Sequence, residues 1–273
     1  VSSRHSTRAF TLIEMLTVIA IIGVLAAIMA PTLKNFRQND ATLSATRQLL
    51  DAVARARQFA ISQRTTVYLV FVPPGFWNSP AYVRNNALTF SDRSEATNLV
   101  DKQLTGYNFV ALRSVGDQPG HNYPRYLSTW ETLPESTFIA LDKFTEGRAR
   151  YNPYLYDTSG FKVFGFDTTT NIPFPLATTQ PWIRQPGSAN DPYPSLPYIA
   201  FDYLGRLVSG QDEFIPLAKG GVLIAHDANG LPAAGAAPLS VSESPPGNST
   251  NSYNLIHIDW LTGRARLEHR QVQ

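Results

Sequence analysis

"LLDAVARARQFAISQRTTVYLVF", residues Leu49–Phe71, changes its period partway along. Leu49, Val53, Ala56 and Ala60 recur at spacings of three and four, with Ala52 and Phe59 flanking them, which marks one face of an amphipathic helix. Arg47, Arg55, Arg57 and Arg64 fall mostly outside that stripe. At Thr66 the pattern becomes strand-like: "TVYLVFV" is β-branched and aromatic and stops at Pro73-Pro74-Gly75. One long helix feeding strands predicts an α+β domain, with the helix laid across an antiparallel sheet and its apolar stripe as the docking face.

Downstream, further strands are predicted at "YNFVALR" (107–113), "FKVFGFD" (161–167), "YIAFDYLGRLV" (198–208), "GGVLIAH" (220–226) and "YNLIHIDW" (253–260). The last is followed by Leu261-Thr262-Gly263 and then "RARLEHR", a hairpin that closes the sheet. Thr168–Pro197 is rich in Pro, Thr and Gln, and Ala228–Ser252 in Pro, Ala, Gly and Ser. Both read as long surface loops that enlarge the domain without enlarging its core, the second of them mobile.

Upstream, no proline interrupts Thr32–Thr66, so the helix is expected to continue from Pro31, with a bend there. Ahead of Pro31 lies "AFTLIEMLTVIAIIGVLAAIMA", in which Phe10 to Ala30 hold a single charge, Glu14. As a helix, about 21 residues reach roughly 30 Å, enough for a hydrocarbon core. Arg4, His5 and Arg8 precede it and Lys34 and Arg37 follow, so positive charge alone does not orient it. A secretory signal peptide fits poorly. The run is long, Ile28-Met29-Ala30 lacks a small residue three before a cut, and Glu14 interrupts the apolar core. A plain signal anchor gives Glu14 no reason to be there. The chain begins with Val1 rather than Met, which points to a non-standard start codon or a start upstream.

"AFTLIEMLTVIAIIGVLAAI" resembles the leader junction and first helix of type IV pilins and pseudopilins, over about 25 residues. The resemblance implies cleavage between Ala9 and Phe10 by a membrane prepilin peptidase and N-methylation of Phe10. It also implies residence in the bacterial inner membrane, single-pass, with the C-terminal domain periplasmic or extracellular. The family usually has Gly where this chain has Ala9. Its partners would be other pilins or pseudopilins, the secretion or pilus assembly platform in the inner membrane, and membrane lipid before assembly. "LLDAVARARQFAISQRTTVYLVF", "IAFDYLGRL" and "IDWLTGRARLE" resemble, more loosely, the H-type minor pseudopilins of type II secretion and their pilus relatives. The implied organisation is a leader over 1–9, a membrane-spanning helix half over 10–31, an amphipathic half over 32–66 and a β-rich domain over 67–273.

Glu14 has a physical reading within this frame. After cleavage Phe10 carries a new positive amine, and Glu14 lies one turn deeper, about 6 Å along the axis. A carboxylate in lipid is costly, near 3 kcal/mol at the bilayer centre for comparable charges. The helix amino terminus or the amine of a neighbouring subunit would offset that cost. An intersubunit pair staggers adjoining helices by a turn, and repeated stagger with rotation gives an open filament.

The remaining composition excludes more than it suggests. With no cysteine, disulfides, thiolate metal sites and cysteine nucleophiles are out. A net charge of +2 without a Lys/Arg stripe gives no nucleic-acid footprint. His226-Asp227 and the His257/Asp259 pair, on one face of a strand, are the candidates for a metal or acid–base cluster, but no motif fixes them at ligand spacing. His121 lies in a loop. Asp202, Asp212 and Glu213 carry oxygen donors suited to calcium without matching an EF-hand loop. No metal, cofactor or catalytic residue is therefore assigned, and the chain is expected not to be an enzyme. Trp77, Trp130, Trp182 and Trp260 could form a surface for carbohydrate or a secreted substrate, or pack core and loops. Asn248-Ser249-Thr250 matches a glycosylation sequon. The functional expectation is a structural subunit of a pilus-like filament, most closely a minor pseudopilin of type II secretion. The alternatives are a surface or DNA-uptake pilus subunit, and, from another class, a signal-anchored periplasmic hydrolase or binding protein.

Overall fold

A computed structural model describes residues 12–78, 89–113, 116–117, 123–145, 161–178, 196–228, 239–251 and 253–268, with residues 29–40 described as helical backbone alone. The chain divides into two compact units, Val1–Asp40 and Ala41–Gln273. Helix α1 runs over Leu12–Gln63, and its helical assignment continues through Pro31.

Within the second unit, α1 buries Ala45, Leu49, Ala52, Val53, Ala56 and Ala60, all fully inaccessible. All but Ala45 belong to the predicted stripe, whose Phe59 is only partly buried, and four of them are alanines, so the helix backbone lies close to what it covers. The helix ends at Arg64, which takes a left-handed conformation at φ 49, while the Thr65 N–H bonds the Ala60 carbonyl at 3.2 Å. A glycine usually occupies such a position.

The chain then enters β1 (Val67–Phe71), the strand foreseen at Thr66. It lies between β2 (Gly106–Ala111) and β6 (Tyr198–Phe201), antiparallel to both. Two-residue strands β3 (Arg125–Tyr126) and β4 (Glu131–Thr132) extend β2. A second antiparallel sheet runs in the order β10 (Ala265–Glu268), β9 (Asn254–Ile258), β7 (Glu213–Leu223), β5 (Thr137–Ile139). Strand β8 (Ser240–Glu243) pairs with the far end of β7. Gly220, at φ 150, makes that last pairing possible, because a Cβ there would lie 2.1 Å from the Ser242 carbonyl oxygen.

Both sheets share the core under α1: Leu69, Phe109 and Ile199 come from the first, Ile215 and Ile256 from the second. The first sheet is buried on its other face too. Val70 and Val110 pack there on Ala96 and Leu99 of helix α2 (Phe90–Leu99) and on Ile172 and Phe174. That double burial explains why "TVYLVFV" is apolar without alternation.

Several expectations need correction. Residues 161–167, "FKVFGFD", form no strand, only isolated bridges at Phe164 and at Asp167, the latter to Tyr198. Their apolar residues are satisfied by packing, Val163 against Phe214 and Leu255, and Phe166 stacked on Phe71 at 4.5 Å. The "GGVLIAH" strand starts earlier, at Glu213, and ends at Leu223. Within Thr168–Pro197 the described residues Ile172, Phe174 and Leu196 are buried, so this segment does contribute to the core. Ala228–Ser252 holds β8 and a short helix, Asn248–Asn251. Helix α2 lies where no sequence expectation places an element, and Thr89 and Asp92 form a capping box at its start.

Candidate functional site

Among its described residues the amino-terminal unit presents a helix whose side chains all face solvent. Leu12, Ile13, Leu16, Ile19, Ile22, Leu25 and Ile28 are each more than half exposed. No helix among the described residues is long and apolar enough to cross a membrane, and the described side chains of the apolar run stop at Ile28. Glu14 stands in the first turn of α1, where the aligned backbone N–H groups favour an anion. One turn on, the Thr17 hydroxyl donates to the Ile13 carbonyl at 2.7 Å and approaches that of Glu14 at 3.0 Å. Its polarity is thereby absorbed within the helix, and Glu14 is left as the one charge between Leu12 and Ile28. Ala9 and Phe10 lie outside the described residues, as does the side chain of Pro31.

In the second unit the ionisable candidates are spoken for by structure. His257 is 7% exposed, stacked on Phe214 at 4.5 Å. Its Nδ1 lies 2.8 Å from Glu268 Oε1 and its Nε2 3.0 Å from Asp212 Oδ2. With a carboxylate on each ring nitrogen, the imidazole has no free nitrogen with which to activate a nucleophile. Burial opposes the charge of Glu268, but its hydrogen bonds from His257 and Arg266 hold the carboxyl below the usual carboxylate range.

Asp259, expected beside His257, caps its own turn instead: the Thr262 hydroxyl and N–H both donate to Oδ1 at 2.7 Å. Those bonds hold its carboxyl below the usual range. His226 is elsewhere, 3.2 Å from Asp101. The calcium candidates also separate. Asp202 accepts from the Leu204 and Arg206 N–H groups, Asp212 serves His257, and Glu213 meets Lys143 at 2.8 Å. Among the described residues no group of His, Asp and Glu is placed to hold a metal ion.

Two polar clusters escaped sequence reading because their members are distant in the chain. Lys143, fully buried, donates to Glu213 and to the Phe164 carbonyl and lies 4.8 Å from the Phe166 ring. Arg55 of α1 forms a forked pair with Glu131 of β4, at 2.8 and 2.6 Å, and covers the Phe109 ring at 5.0 Å. Tyr107 joins that cluster by donating to Glu131 and accepting from Gln48, and burial is the chief reason its hydroxyl is pushed up to about 12. The second cluster fastens the polar flank of α1 to the first sheet.

The aromatic residues divide as well. Trp130 donates to the Pro175 carbonyl and meets Phe174 edge-on, and Trp77 packs on Phe76, so both belong to the core. Trp260 is 39% exposed, and Trp182 and His121 lie outside the described residues. Asn248, the first residue of the sequon, is 1% exposed with its Oδ1 accepting the Lys219 N–H, so it is closed to a glycan.

No curated protein and no solved structure matches the chain. The apolar amino-terminal helix with its single acid takes no part in the described core of the second unit. That stretch is where a family match falls: residues 4–30 fit the prokaryotic N-terminal methylation motif, so the chain carries the prepilin-type cleavage and methylation signature of type IV pilin-like proteins.

Proposed function

We propose that the chain is a minor pseudopilin of a type II secretion system, a structural subunit that is the substrate of an enzyme rather than an enzyme. The leader over 1–9 is removed between Ala9 and Phe10, Phe10 is N-methylated, and the exposed apolar helix is held in the inner membrane until assembly. Glu14 then meets the Phe10 amine of a neighbour and sets the axial stagger. Pro31 bends the helix between its lipid-facing and domain-facing halves. The domain lies on the periplasmic or outer side.

The motif over residues 4–30 carries this reading, and the solvent-exposed apolar side chains of Leu12–Ile28 around a single acid support it. The choice of secretion over a surface or DNA-uptake pilus is supported by the looser likeness of "IAFDYLGRL" and "IDWLTGRARLE" to H-type pseudopilins. Mass spectrometry of the amino-terminal peptide of membrane-extracted protein should give N-methyl-Phe10. An intact leader, or a start near Pro31, would favour the anchored hydrolase or binding protein. Glu14→Ala should insert in the membrane normally and vanish from sheared filaments. In the native host, deletion should abolish export of secreted proteins and spare surface pili; the reverse result would assign the chain to a pilus.

A further inference from the structure

Two turns in the second unit are built on the same plan. Asp202-Tyr203-Leu204-Gly205-Arg206 and Asp259-Trp260-Leu261-Thr262-Gly263-Arg264 each place an aromatic residue and a leucine after an aspartate, and a glycine before an arginine. In each the aspartate carboxylate accepts backbone N–H groups of its own turn, and the glycine is left-handed, at φ 80 and φ 62. The turns lie side by side. The Leu207 N–H donates to the Trp260 carbonyl at 2.9 Å, and a Cβ on Gly263 would stand 2.0 Å from the Gly205 carbonyl oxygen. Arg57 of α1 touches both: its Nε donates to the Thr262 carbonyl at 2.7 Å and its side chain backs Gly205.

The paired turns display apolar side chains to solvent. Tyr203 is 57% exposed, Leu204 51%, Trp260 39%, Leu261 54%, and the adjoining Val208 57%. Clustered exposure of this kind marks an interaction surface. Around it the charge is net basic: Arg57, Arg206 and Arg264 flank the tips, and Arg64 and Arg113 lie where α1 and β2 end at the same side. Asp202, Asp212 and Asp259 face them, each already engaged.

The geometry points to a bilayer-docking tip, in which the paired turns insert Tyr203, Leu204, Trp260 and Leu261 into the headgroup region of an anionic membrane. Protruding turn tips need no matching cavity in a fluid interface. Tyr and Trp suit the headgroup level, leucines reach the acyl boundary, and guanidiniums meet lipid phosphates while their stems lie along apolar surface. Bare leucines weigh against a sugar, which would be held by rings and polar groups. The tip sits against Arg57, inside the second unit, and all of its residues belong to that unit.

The test uses the full chain held by its apolar helix in nanodiscs of phosphatidylcholine. Vesicles with about 30 mol% phosphatidylglycerol should be captured, pure phosphatidylcholine vesicles should not, and brominated lipid in the vesicles should quench tryptophan emission. Leu204→Ser/Leu261→Ser, which alters only exposed side chains, should weaken capture about tenfold or more and abolish the quenching. Circular dichroism of the double variant, expected unchanged, confirms its fold. Absence of capture by the wild-type chain, or capture and quenching unchanged in the variant, would overturn the proposal. So would self-association of the wild-type chain, lost in the variant, without capture. Leader processing and filament incorporation are measured separately, so either idea can fail alone.

Discussion

Removal of Lys143 should destabilise the second unit far more than removal of the whole ion pair. Lys143 and Glu213 meet at 2.8 Å with side chains 0% and 2% exposed. At an effective dielectric of about 20 their attraction is about 6 kcal/mol, but taking each ion out of water costs several kcal/mol, so the pair nearly breaks even. A single deletion leaves the other charge buried without its main counter-ion, at a cost of about 3–5 kcal/mol. Lys143→Met also deletes the hydrogen bond to the Phe164 carbonyl, which fastens residues 161–166 to the second sheet. In a unit of this size that loss lowers the melting temperature by about 10 °C. Urea unfolding in mild detergent, followed by near-ultraviolet circular dichroism, would compare Lys143→Met, Glu213→Leu and the double variant. The double variant should be less destabilised than the sum of the singles by about 3 kcal/mol. Two small, additive single effects, each below about 1 kcal/mol, would refute the reasoning.

Three further outcomes follow from the same geometry. Leu49→Ala removes a fully buried side chain from beneath α1 and should cost about 2–5 kcal/mol in the same unfolding assay. Gly263→Ala forces a Cβ into the left-handed region and onto the Gly205 carbonyl, so a loss of about 2 kcal/mol or more is expected, with weakened amide protection at Leu207. The Glu131 carboxyl is held below its ordinary value of 4.5, chiefly by the hydrogen bond from Arg55, against burial and with help from Tyr107. Its depressed value means a stabilising contribution that is present above the ordinary carboxylate range and lost as pH falls through the folded value. Wild-type stability should therefore drop more steeply than that of Glu131→Gln in the acid limb, and parallel limbs would count against the Arg55 clamp.

The helix-to-strand switch at Thr66, the docking stripe and the closing hairpin were legible because each is a local pattern. The stripe needs only a period near 3.6, and Leu261-Thr262-Gly263 needs only one residue that tolerates a positive φ, met at Gly263. The "FKVFGFD" error has the same root: apolar alternation reports which residues seek burial, not whether a neighbouring strand is there to accept hydrogen bonds. The buried Ile172 and Phe174 were hidden by the prolines around them, which describe the backbone and say nothing of what the intervening side chains meet.

The sequence by itself determined the amino-terminal motif, the single acid in an apolar helix and the α+β order, since all three are written in consecutive residues. Only the tertiary structure decided that His257 lies between Asp212 and Glu268, that Lys143 meets Glu213 across 70 positions, and that two similar turns stand side by side on Arg57. Those pairings rest on contacts between residues far apart in the chain. Their partners are chosen by sheet register and packing, and no local period encodes them.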